Sequence, residues 1–210
     1  MKNSKTNSHD VFLSDENVDL IILDENLAKN SDWYKWLNDK KITKFTNTGI
    51  FPNTSFEQLK YFKEKIASTK IIKKFEKTDR RIQLGIINSY SKKFVGVISL
   101  FRFDYIGRSC AISMLIDQKL NTKNSLRVVR SAQSLMIDHA FERLNFRRIF
   151  VQTFSKELSN ITQKLWGFKL EGIFREKEYS DGKYHDAYAL GLLKREWLLF
   201  KSKSKKLIKL

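Results

Sequence analysis

Proton transfer and nucleophilic attack need His, Cys, Tyr or carboxylate side chains held within reach of one another, and this sequence offers few such groupings. His185 and Asp186 are adjacent and could join a base to an orienting carboxylate. Neighbouring strand residues point to opposite faces, however, which favours a plain surface pair. Tyr184, Asp186 and Tyr188 fall on one strand face. A tyrosine there can donate a proton into a nearby cleft, whereas Tyr188 suits core packing. Cys110 has no His or Lys beside it, so nothing supports a nucleophilic role. One Cys and three His (His9, His139, His185) exclude an internal disulfide and argue against a zinc site, and no metal is expected. His139 sits in a helical pattern and reads as structural. The segment Phe45-Thr46-Asn47-Thr48-Gly49-Ile50-Phe51 gathers hydroxyls, an amide and aromatic faces, which suit a sugar ring and equally an ordinary loop.

Charge narrows the partners. Forty Lys and Arg against 23 Asp and Glu leave a formal +17, which attracts polyanions, phosphorylated small molecules or anionic headgroups. The bases cluster in 63–81 and in 194–210, while 10–28 carries acids and no Lys or Arg. Arg102, Arg108 and the 63–81 bases could hold a nucleotide diphosphate; the bland reading of such Lys-rich faces is simple solvation. No helix-turn-helix or RNA-recognition signature is present, so a nucleic-acid partner is not expected. No apolar run reaches the ~20 residues of a membrane helix. The polar start MKNSKTNSHD lacks the apolar stretch of a secretory signal. The expectation is a cytoplasmic, soluble, basic protein.

The 210 residues suit one domain with appendages: a disordered lead over 1–9, a single domain over 10–200 and a basic tail over 201–210. Val18 to Leu23 reads as a buried strand, and Ser31 to Asn38 as a helix that buries Trp33 and Trp36. Ser55 with Gln58 forms a capping box for a helix through Ile66, with Phe56, Leu59, Phe62 and Ile66 on its apolar face. Residues 68–81 read as a polar connection. Strands are expected at Ile82 to Asn88, Phe94 to Phe101 and Cys110 to Ile116, joined by tight turns. A long helix follows from Ser125 to Leu144, then a strand from Arg148 to Phe154 and a helix from Glu157 to Trp166, closed by Gly167. Strands from Phe168 to Glu176 and from Tyr184 to Leu193 flank an Asp181-Gly182 turn. The order is that of one α+β domain.

That order, ending in Leu165-Trp166-Gly167-Phe168-Lys169-Leu170-Glu171-Gly172-Ile173-Phe174-Arg175, resembles the GNAT family of acyl-CoA-dependent N-acetyltransferases. Asp181-Gly182-Lys183-Tyr184-His185-Asp186, His139-Ala140-Phe141, Leu144-Asn145-Phe146-Arg147-Arg148-Ile149 and Trp36-Leu37-Asn38-Asp39 extend the likeness over roughly residues 18–197. The branch it resembles most holds ribosomal-protein and amino-sugar acetyltransferases. The resemblance implies a mixed, mostly antiparallel sheet whose central parallel strands, near 111–117 and 148–154, splay to admit acetyl-CoA. Cofactor contacts would come from Met114, Leu115 and Ile116, from Lys123, Asn124, Ser125, Leu126, Arg127 and Val128 at a helix start, and from Lys156, Ser159 and Gln163. The amides of Leu115 or Ile116 would serve catalysis, and Tyr184, by its strand position rather than by the family pattern, is a candidate for proton transfer. Phe45, Thr46, Asn47, Phe51 and Asp186 would meet the acceptor.

The sequence departs from the family pattern at four points. The family's pyrophosphate loop carries glycines, and these positions fall on Ser125 and Arg127; no Gly occurs between Gly107 and Gly167. A Glu often used as base aligns with Ala111, an Asn that contacts CoA with Lys156, and a Tyr often used as acid with Gln163. The expected activity is N-acetylation of a small-molecule amine, with a nucleotide-linked amino-sugar favoured by the basic body, by a monomer or homodimer. A protein N-terminus or ribosomal protein is the alternative acceptor; such substrates are themselves basic, so the +17 charge would repel them and counts against this reading. A GNAT-fold protein without CoA chemistry, binding another anionic ligand, is the remaining alternative.

Overall fold

The computed structural model describes residues 9–43, 49–66, 81–120 and 125–207, with 204–207 as backbone only. Residues 1–8 of the expected 1–9 lead, 68–80 of the expected 68–81 connection and residues 208–210 lie outside them. Short apolar segments give β1 (Val11–Ser14) and β2 (Val18–Ile22). Asp24 accepts the Leu27 N–H at 2.7 Å and so starts α1 (Glu25–Asn30). Next come α2 (Trp33–Asn38), α3 (Lys40–Thr43) and α4 (Ser55–Tyr61), the last continuing as a wide turn over Phe62–Ile66. Three strands follow, β3 (Ile82–Asn88), β4 (Phe94–Asp104) and β5 (Ser109–Ile116). Then α5 (Ser125–Asp138) runs into a wide turn, His139–Arg143, before β6 (Arg148–Thr153) and α6 (Lys156–Trp166). The chain closes with β7 (Lys169–Ser180), β8 (Lys183–Leu193) and α7 (Lys194–Leu207).

The strands form one sheet in the order β1-β2-β3-β4-β5-β6-β8-β7. Every neighbouring pair is antiparallel except β5 with β6. Each sheet face buries its own core. One core packs Ile98, Ile112, Ile149 and Leu190 under Val128, Met136 and Phe141 of α5, Trp166 of α6 and Trp197 of α7. The other packs Ile21, Ile87 and Val97 under Leu27 of α1, Trp33 and Trp36 of α2 and Phe62. No helix among the described residues is long and apolar enough to cross a membrane.

The α+β architecture and the strand sequence agree with expectation, and the differences are local. β1 goes unforeseen because four residues are too few to show an alternation. The cap of α4 is Thr54, whose hydroxyl accepts the Glu57 N–H at 3.1 Å, one residue ahead of the expected Ser55. The helix packs with Gln58 and Phe62 buried, while Phe56 stands 70% exposed. Gly167 adopts φ 74 and its N–H bonds the Gln163 carbonyl at 3.0 Å, as a helix-ending glycine should. Asp181 and Gly182 both take positive φ, matching the right-handed twist of the β7–β8 hairpin.

The expected boundary at 201 falls inside α7, which is tied to α5 through Asp138. Its carboxylate accepts the Trp197 indole N–H at 2.6 Å and Lys201 Nζ at 2.8 Å. A second clamp crosses β8. The Arg148 guanidinium on β6 meets the Glu171 carboxylate on β7 at 2.6 and 2.5 Å, and the pair passes over Gly191. A Cβ at Gly191 would collide with both groups, so glycine is needed for close approach.

Two outcomes follow from these clamps. Asp138→Ala strands a half-buried indole N–H and an ammonium and should lower unfolding free energy by ~1–3 kcal/mol in urea titration. Glu171 is held below its usual 4.5 by the Arg148 hydrogen bond, so the unfolded chain binds its proton more readily than the folded one. The stabilisation is present above the unfolded value and fades as pH falls through the lower folded one. Both partners are partly exposed, so Glu171→Gln should cost under about 1 kcal/mol near neutrality. The difference from the parent should vanish on acidification; a constant difference from neutral to acid pH would refute the ion-pair account.

Candidate active site

β5 and β6 pair only through Ser109↔Arg148, Cys110↔Ile149 and Ala111↔Phe150. Beyond that row β5 continues to Ile116 against β4, and β6 continues to Thr153 against β8. The two central strands therefore part, and a cleft opens between them.

Strand chemistry settles which amides line it. In an antiparallel ladder a residue's N–H and C=O point to one side, and successive residues alternate. Asp117 donates to the Val95 carbonyl at 2.8 Å, and the Leu115 carbonyl lies against Gly96, so the odd-numbered residues face β4. The N–H groups of Met114 and Ile116 point away from β4, into the cleft. Of the two amides expected to serve catalysis, Leu115 is thus engaged in the sheet and Ile116 is available.

At the mouth of the cleft a cavity of ≈ 350 Å³ is lined by Ile116, Asp117, Gln118, Ser125, Leu126 and Val129, among others. The first turn of α5 opens onto it, and the positive end of the helix dipole favours an anion there. Arg127 is exposed on this turn, as is Lys156 at the start of α6. The Val128 side chain is fully buried in the core, which leaves only its backbone for a ligand. Ser159 is buried, and Gln163 Nε2 donates to its carbonyl at 3.3 Å. Lys123 and Asn124 lie outside the described residues.

The opposite face of the sheet carries a polar row that sequence reading missed. Gln83, Ser99 and Ser113 are directly opposite one another across β3, β4 and β5. On β6, Phe150 and Gln152 face the same way, opposite to the buried Ile149. Ser113 is exposed on one arm of the cleft; Gln152, whose Oε1 accepts Lys177 Nζ at 3.0 Å, is exposed on the other. The Tyr61 phenol donates to Gln83 Oε1 at 3.0 Å and accepts from Arg81. Burial pushes that phenol's pKa up against the pull of Arg81. Polar residues two apart in apolar strands were the available signal.

Other expected site residues scatter. Tyr184 is 64% exposed and packs on Tyr179 at 5.1 Å between ring centroids, four residues past the last β6 partner, Tyr188. It does not reach the splayed strands. Asp186 accepts the Glu176 N–H at 2.9 Å, pinning a two-residue bulge between Phe174 and Glu178. It lines a separate cavity of ≈ 870 Å³ with Phe174, Glu176 and Lys177. Phe51 is 82% exposed, and Phe45, Thr46 and Asn47 are outside the described residues. His185 approaches the Ser180 carbonyl at 3.2 Å and so serves the hairpin. Among the described residues no group of three or more His, Cys, Asp or Glu could hold a metal ion.

An acetyltransferase (GNAT) domain model matches residues 27–189. Among curated proteins, YdaF of Bacillus subtilis (strain 168), whose name gives it provisionally as a ribosomal N-acetyltransferase, is 31% identical over 117 residues. That stretch is 55% of this chain and 61% of the relative, so about three-fifths of the relative's length is spanned. Among solved structures, spermidine N-acetyltransferase from Vibrio cholerae, in complex with CoA and spermine, has a TM-score of 0.70 at 17% identity over 88% of this chain and 99% of that one. RimL, a ribosomal-protein alpha-N-acetyltransferase in complex with coenzyme A, has a TM-score of 0.70 at 16% identity, covering 88% and 98%. At such identities the likeness is one of fold.

Cys110 is fully buried at the closed end of the cleft, and its thiol is pushed up to about 12 by burial. The thiolate is the reactive form, so the native protein should not react with a thiol-specific disulfide reagent and should release one equivalent only on unfolding. Fast labelling of the native state would contradict this burial.

Proposed function

Since the chain belongs to the GNAT acetyltransferase family, we propose that it transfers the acetyl group of acetyl-CoA to the amine of a small acceptor that enters from the face opposite α5. One observation carries the reading: the parting of β5 and β6 after Ala111 and Phe150, which leaves the Met114 and Ile116 N–H groups facing a cleft beside the α5 start. Acetyl-CoA supplies an acetyl thioester. The cleft amides pair with its amide-bearing arm, and the first turn of α5, with Arg127, Arg130 and Lys156, meets its phosphates. Ser125, Leu126 and Val128 contribute backbone there, with Lys123 and Asn124 just ahead; Ser159 and Gln163 sit on the facing side of α6.

The amine nitrogen forms its bond to the acetyl carbon as the carbon–sulfur bond breaks. The Ile116 amide stabilises the oxygen that gains charge. Around the splay this face presents Gln83, Ser99, Phe101, Ala111, Ser113, Phe150 and Gln152, with no carboxylate among these positions, so the departing amine proton leaves through water. Neutral hydrogen-bonding groups beside two phenylalanine rings suit a hydroxyl-rich ring, which supports an amino-sugar acceptor. The likeness to YdaF supports a second reading, a ribosomal protein N-terminus.

Acetyl-CoA should raise the melting temperature, and its affinity should fall with added salt because charge replaces the family's loop glycines. Turnover should keep rising with pH as free amine accumulates, since no dedicated base stands at the splay among the described residues. Mass-spectrometric detection of acetylated glucosamine against an acetylated N-terminal peptide separates the two acceptors. Absence of any acetyl-CoA effect on melting would overturn the reading.

A further inference from the structure

Two guanidinium groups converge on one aromatic ring at the acceptor face. Arg81 lies between the rings of Tyr61 and Phe101, 5.5 Å from each centroid. Arg102 lies 5.8 Å from the Phe101 centroid. It projects from a bulge where β4 shifts register against β5 between Phe101 and Asp104, with φ 51. Phe101 is directly opposite Ala111, which pairs with Phe150 in the last row before the strands part. Both cations therefore stand beside the closed end of the cleft, on the face left for the amine.

Neither arginine has a carboxylate partner among the described residues. The Arg148 guanidinium, by contrast, is held by Glu171, and that of Arg108 by the Asn145 carbonyl and side-chain oxygen. Arg81 spends one donor on the Tyr61 phenol, itself fixed by Gln83. A guanidinium has five donors in a rigid fork that matches an oxyanion in two-point fashion. Two like charges oriented on one ring, with no counter-charge among the described residues, make a receptor for an anion.

We propose that Arg81, assisted by Arg102, binds an oxyanion, phosphate or carboxylate, carried by the same molecule that presents the amine. The proposal rests on the acetyl-transfer reading and names its acceptor class as an anionic amine. A polyamine would meet two guanidinium groups and, among the described residues at the splay, no carboxylate.

Glucosamine, glucosamine 6-phosphate and glucosaminuronic acid offer the same amine with a neutral, phosphate or carboxylate group, and spermidine supplies the polycation. At saturating acetyl-CoA, one or both anionic sugars should exceed glucosamine in kcat/KM by about tenfold or more, and the arm that does so identifies the oxyanion. Arg81→Gln should collapse that ratio towards one. For the parent protein, requiring no variant to fold, inorganic phosphate should inhibit competitively against the preferred amine. Equal or better use of glucosamine or spermidine, or an unchanged ratio in Arg81→Gln, would overturn the proposal. If acetyl-CoA neither binds nor reacts, the transfer reading fails instead. Calorimetric titration of the chain with the two anionic sugars then decides the anion site alone, with binding lost in Arg81→Gln as the supporting result and no binding as the refuting one.

Discussion

A backbone ladder that stops early governs this molecule. Among the described strands β5 and β6 are the one parallel pair, and they hold together for three residue pairs before each follows a different partner. Buried backbone N–H groups are almost always paired, so the amides that the split leaves open must meet water or a ligand. The split persists because each arm is secured on its far side. β5 stays in register with β4 from Phe101 to Gly96, and β6 with β8 from Leu193 to Tyr188. Closing the gap would require one arm to move together with the ladder that holds it.

The rest of the fold keeps the two arms in place. On one face α5 packs against the sheet through fully buried Val128, Ala132 and Met136. Trp166 of α6 donates to the Arg130 carbonyl at 3.3 Å. Asp138 gathers Trp197 and Lys201 from α7, and Lys194 Nζ donates to the Phe141 carbonyl at 2.9 Å, satisfying the end of the wide turn after α5. At the far edge, the Arg148–Glu171 pair bolts β7 to β6 over a glycine. These contacts fix where the first turn of α5 opens relative to the cleft. On the other face, α1, α2 and α4 leave the polar row from Gln83 to Ser113 as the floor beneath Tyr61 and Arg81. The two sides of the cleft are thus chemically unlike, one with the exposed bases Arg127 and Lys156 at helix starts, the other a row of neutral polar groups with two arginines at its margin.

Much of this was written locally in the chain. Alternating or continuous apolar runs marked β2 to β6, Gly167 and Asp181-Gly182 marked a helix end and a hairpin, and the periodicity of 125–144 marked the long helix, because each depends on contacts within a few residues. The resemblance carried by Gly167-Phe168, Glu171-Gly172 and the terminal strands supplied the family and the place of the splay. What only the tertiary structure decided were relations across the sheet. The direction of the Leu115 and Ile116 amides depends on the register against β4, which no single strand encodes. Gln83, Ser99 and Ser113 become one row only when three strands align, and Arg81 reaches Phe101 only because β3 and β4 pair. Tyr184 and Asp186 share a strand with Tyr188, yet the hairpin carries them past the end of β6. Local pattern sets the elements; which groups meet is set by register and packing between segments far apart in sequence.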